Sequence, residues 1–132
     1  MIRKKSLVAA AGIALVPLAA MAPANAYYTI GDCDSASAGV TLTVVTGSPG
    51  QWNAYGHVND GQGRNWKWKI YSKVASQSGN GTLEGSGSRT GTGDMPAGAI
   101  YWVKRAQPEH VKLVVDNAAG TIHCTAAVDV TS

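Results

Sequence analysis

Apolar residues recur at every second position through most of this chain, and that period dictates strands rather than helices. Val40, Leu42 and Val44 alternate with Thr41 and Thr43. Trp52, Ala54, Gly56 and Val58 alternate with Asn53, Tyr55 and His57. The same rhythm carries Trp66, Trp68 and Ile70 against Lys67, Lys69 and Tyr71. It returns in Ile100 and Trp102, in Val111, Leu113 and Val115, and from Ile122 through Cys124 to Val130. A weaker run, Thr82 to Arg89, is rich in Gly and Ser and reads as an edge strand. Turn clusters separate these runs: Gly47-Ser48-Pro49-Gly50, Asn59-Asp60-Gly61, Ser78-Gly79-Asn80-Gly81 and Asp116 to Gly120. Asn, Asp and Gly tolerate the positive φ that tight hairpins require. Six or seven short strands in about 100 residues predict an all-β, antiparallel two-sheet sandwich, immunoglobulin-like in outline, with a small β-barrel as the alternative. Gly87 to Gly98 shows no period and reads as a mobile loop.

The first 26 residues have a different character. Arg3, Lys4 and Lys5 precede an apolar run from Leu7 to Leu18, and small residues close on Ala24-Asn25-Ala26. That order is a secretory signal peptide with cleavage before Tyr27. The run is about a dozen residues, short of the roughly 20 that cross a bilayer. The expected organisation is therefore 1–26 leader and 27–132 one small exported domain without a membrane span.

Export settles how charge and cysteine are read. The chain has 11 Lys plus Arg and 8 Asp plus Glu. Arg3, Lys4 and Lys5 lie in the leader, which leaves eight against eight. A formally neutral domain offers no electrostatic footprint for nucleic acid. The two cysteines, Cys33 and Cys124, read as one disulfide in an oxidising compartment. It closes a loop of about 90 residues, for which chain entropy suggests roughly 4–5 kcal/mol. Antibody-type domains place their bridge between two strands inside the sandwich. Here Cys33 precedes the first clear strand, so the bridge is expected to pin the N-terminal segment to the last one.

The pattern Gly50-x-Trp52-x-Ala54-x-Gly56-x-Val58-x-Asp60-Gly61, then Trp66-x-Trp68-x-Ile70, set between Cys33 and Cys124, resembles small exported all-β proteins of actinobacteria. The resemblance implies export and an all-β fold, and transfers no activity, ligand or catalytic residue.

Among the functional candidates, the aromatics come first. Exposed aromatics on a sheet can stack on sugar rings. Burying the face that carries Lys67 and Lys69 would desolvate two ammonium groups, at far greater cost than exposing two indoles. Trp66 and Trp68 are therefore expected in the core, and Trp52 and Trp102 with them, because buried aromatics dominate small cores. The outward side then presents a candidate ligand face of Lys67, Lys69, Tyr71, Tyr101 and Arg105, suited to an anionic surface polymer such as a teichoic acid.

No G-x-S-x-G and no metal-ligand spacing occurs. His57, His110 and His123 are the candidate bases, and Glu84 and Glu109 the candidate carboxylates. Asp32, Asp34 and Asn59-Asp60-Gly61 read as turn chemistry rather than calcium ligands. The chain is expected to be a secreted, non-catalytic binding or interaction domain without cofactor or metal. Its partner is a surface polymer or an extracellular protein. The alternatives are an inhibitor of an extracellular enzyme probing through the Gly87–Gly98 loop and, less favoured, a small hydrolase.

Overall fold

The structure is a computed structural model that describes residues 26–131. Residues 1–25, on which nearly all of the expected 1–26 signal peptide falls, and residue 132 lie outside the described residues. Eight strands follow one another: β1 (Tyr27–Cys33), β2 (Ala38–Thr46), β3 (Gln51–Asp60), β4 (Asn65–Val74), β5 (Thr82–Thr90), β6 (Gly93–Val103), β7 (Glu109–Asn117) and β8 (His123–Val130). All neighbours are antiparallel, in the order β5-β4-β7-β8-β1-β2-β3-β6.

The strand faces follow the alternation. Val40, Leu42, Val44, Trp52, Ala54, Val58, Trp66, Trp68, Ile70, Val111, Leu113 and Val115 all point into one core. Each turns inward because successive strand residues face opposite sides of the sheet. All four tryptophans are buried.

The architecture departs from a two-sheet sandwich of six or seven strands. A single eight-stranded sheet curls until its edges, β5 and β6, nearly meet, so the smaller alternative, a barrel, is closer to what forms. The strand that makes the difference is β1. Tyr27 to Gly31 pair with β2, while Asp32 and Cys33 pair with β8. A strand shared in this way joins two four-stranded halves that would otherwise stack as separate sheets. Its half-buried, weakly apolar sequence hides it from a period-two search. Cys33 thus ends a strand, and it stands directly opposite Cys124, with Cα atoms 4.0 Å apart across the disulfide.

The segment from Gly87 to Gly98 is mostly strand, not loop: β5 runs to Thr90 and β6 starts at Gly93. Its missing periodicity has a steric cause. A Cβ on Gly87 would lie 2.8 Å from Trp68 Cζ2, and one on Gly85 would lie 2.6 Å from Ile100 Cδ1. Glycine leaves that space to the neighbours' side chains, so the strand carries no hydrophobic signal of its own.

Side chains, not a backbone ladder, close the seam between β5 and β6. At one end Arg89 donates from Nη2 to the Thr92 carbonyl at 2.7 Å and from Nη1 to that of Asp94 at 3.2 Å. At the other, Arg105, just beyond β6, reaches Thr82 and Glu84 of β5.

Candidate functional site

Each end of the barrel is plugged by a buried carboxylate held by tryptophan and arginine. At one end Glu109 Oε2 accepts from Trp52 Nε1 at 3.1 Å and from the Arg105 backbone N–H at 2.9 Å. Its Oε1 accepts from Trp102 Nε1 at 3.0 Å and from Arg105 Nη1 at 2.5 Å. Arg105 also donates to Ser72 Oγ, whose hydroxyl donates to Glu84 Oε2. At the opposite end Asp60 accepts from Trp66 Nε1 at 2.9 Å, from Arg64 Nη1 at 2.7 Å and from the backbone N–H groups of Gln62 and Arg64. Buried charges are tolerated only when paired and hydrogen-bonded in this way.

Burial pushes the Asp60 carboxyl up, but the N–H groups of Gln62 and Arg64, the Trp66 indole and the Arg64 guanidinium outweigh it and hold the pKa below its ordinary 3.8. A folded value below the unfolded one gives stability that is complete above the unfolded pKa and is lost as pH falls through the folded pKa. Urea unfolding between about pH 6 and pH 2 is therefore expected to show stability falling below roughly pH 4. Asp60→Asn is expected to flatten that limb while lowering stability at neutral pH.

These plugs remove Arg105 from the candidate ligand face. The chain turns after Val103, and the guanidinium swings inward to Glu109 instead of lying beside Tyr101. Tyr101 is exposed but sits on β6 opposite Asn53, separated from β4 by β5 and the seam. The five predicted residues therefore do not form one surface. Lys67, Lys69 and Tyr71 remain together on the outer face of β4.

The structure adds Lys112 to them. It lies on β7 directly across from Tyr71, with Nζ 5.8 Å from the ring centroid, and it donates to Asn80 Oδ1. Its outward position is legible from Val111 and Leu113 on either side, but the pairing of β4 with β7 is not. The fate of the other basic residues sharpens the picture. Arg64 and Arg105 hold buried carboxylates, and Arg89 closes the seam. Lys104 covers the Trp52 ring at 4.1 Å and donates to Thr46 Oγ1, while Lys73 is bound by the carbonyls of Gln77 and Gly79. Lys67, Lys69 and Lys112 remain, without a carboxylate partner among the described ion pairs, and they share one face.

Each histidine faces an aspartate at the directly opposed position of the next strand. His57 Nδ1 bonds Asp94 at 2.9 Å, His110 bonds Asp129 at 2.6 Å and His123 bonds Asp116 at 2.6 Å. The Asp116 hydrogen bond raises His123 above its usual value of 6.5, against a smaller opposing effect of desolvation, and the charges of Asp116 and Asp34 add to it. These pairs lie on outer faces. A shallow depression of about 430 Å³ at the Asp60 end is lined by Ala36 to Gly39, Asn59 to Gly61 and Thr92, and it contains none of them.

The other half of the barrel shows a second patch, built of tyrosines. Tyr28, Tyr55 and Tyr101 are 61%, 42% and 64% exposed, with Ile30 and Val103 also open to solvent. The outward Thr43 stands between Tyr28 and Tyr55 in one cross-strand row.

No family model, curated protein or solved structure matches the chain.

Proposed function

We propose that this chain is an exported, non-catalytic binding domain that holds a surface polymer through the outer face of β4 and β7. The observation that carries this reading is the distribution of cations. The fold employs five of the eight basic residues of the domain in plugs, seam and turns, and the remaining three share the outer face of β4 and β7 with Tyr71. Ammonium groups beside an aromatic ring attract anionic ligands and give salt-dependent binding. The carboxylates that a hydrolase would need are engaged at the barrel ends, where Glu109 and Asp60 are saturated with donors. Export rests on the leader.

The test is sedimentation of residues 27–132 with purified cell walls and insoluble polysaccharides at low and high salt. Saturable binding that weakens with salt is expected, and Lys67→Gln, Lys69→Gln and Lys112→Gln together should weaken it about tenfold or more at low ionic strength. Binding indifferent to salt and to the three substitutions would remove this face from the proposal. It would favour a second reading, carried by the exposed Tyr28, Tyr55 and Tyr101, in which a neutral polysaccharide stacks on the tyrosines.

A further inference from the structure

Two cross-strand rows carry the lysine face into the histidine–aspartate pairs. In the first, Lys67 of β4 faces Asp116 of β7, which faces and bonds His123 of β8. Asp34, after β1, accepts from the His123 backbone N–H at 2.6 Å. In the second, Lys73 of β4 faces His110 of β7, which faces and bonds Asp129 of β8. When the imidazoles are neutral, Asp116 and Asp129 subtract their charges from the lysine face. When they are protonated, each pair is neutral overall and the lysines act uncovered. For the surface formed by Lys67, Lys69, Lys73, Lys112, Asp116 and Asp129, the net charge then doubles from two to four.

Resting on the β4–β7 contact face, we infer that this surface takes a phosphate-rich polymer and that His110 and His123 make the binding stronger in mild acid. The face is built of lysines, whose compact ammonium groups bind phosphate as point charges. A phosphodiester keeps its charge throughout the range in which imidazole titrates, so any pH dependence belongs to the protein. The raised His123 value places part of the change toward neutral pH. Asp34 lies on the far side of His123 and Lys73 beside His110; both keep their charge across this range and do not cancel the change. His57 bonds Asp94 on the other half of the barrel and serves as an internal control.

The experiment measures binding of the purified protein to long-chain inorganic polyphosphate at about pH 5.5 and 8.0 and fixed ionic strength, across a salt series. Affinity is expected to be about tenfold tighter in acid, with a salt dependence steeper by roughly one to two charges. His110→Gln with His123→Gln should bring the ratio of affinities toward one, and His57→Gln should leave it unchanged. Circular dichroism at both pH values verifies that each variant is folded. Equal wild-type affinity at the two pH values, or a ratio that survives loss of both histidines, overturns the inference while leaving the contact face standing. Absence of polyphosphate binding at either pH overturns the contact face and the inference together.

Discussion

Replacing Glu109 with leucine is expected to lower the unfolding free energy by roughly 3–5 kcal/mol, the cost of breaking a buried ion pair by removing one partner. The side chain is only 1% exposed and accepts four hydrogen bonds, from two indoles, a guanidinium and a backbone N–H. Leucine satisfies none of them. It leaves the Arg105 charge with Glu84 as its nearest remaining acid, 3.8 Å away. Equilibrium denaturation of wild type, Glu109→Leu, Glu109→Gln and the pair Glu109→Leu with Arg105→Leu separates the contributions. The glutamine variant should fall between wild type and leucine, because it keeps acceptors but loses the charge. The double variant should recover part of the loss, since no orphaned charge remains. A loss below about 1 kcal/mol for Glu109→Leu would mean that water replaces the carboxylate and that the plug is not a structural element.

Removing the disulfide by Cys33→Ser and Cys124→Ser is expected to cost roughly 2–5 kcal/mol, since it closes a long loop in a small domain. The bridged residues are 91 positions apart. Local structure adds to the entropic argument. Only Asp32↔Thr125 and Cys33↔Cys124 pair β1 with β8, and this is where the two halves of the sheet are joined. Without the bridge, the amides of β1 near Cys33 should exchange faster with solvent than those near Tyr28, which the β2 ladder retains. Uniform protection along β1, with an unchanged melting temperature, would show that the hydrogen bonds between Asp34 and His123 suffice to hold the join.

Much of this protein is local and therefore legible. Trp66, Trp68 and Ile70 point inward, and Lys67 and Lys69 outward, because a pleated strand alternates its side chains whatever it pairs with. The Gly-Ser run at Thr82 to Arg89 marks an edge because it has few side chains to bury, and β5 is indeed terminal in the sheet. The first half of β6, from Gly93, carries no alternation either. Its start meets β5 at Gly93, which packs against the Arg89 side chain, so no apolar residue marks it. The candidate face was legible only in part. Lys67, Lys69 and Tyr71 share a strand and so share a side by parity. Tyr101 and Arg105 were joined to them by parity alone, which says nothing about which strands are neighbours.

The sequence by itself determined the all-β class, the inward and outward identity of the alternating residues of β2, β3, β4, β7 and β8, and the two cysteines available to bridge. Each depends on a backbone period or a count. Tertiary structure alone decided that β1 would join two half-sheets into a nearly closed barrel. It alone turned Arg105 and Glu109 into a plug, placed Lys112 beside Tyr71 and set every histidine opposite an aspartate. Those outcomes depend on strand order and register across tens of residues. They are selected by the packing of the whole core, not by any short run of the chain.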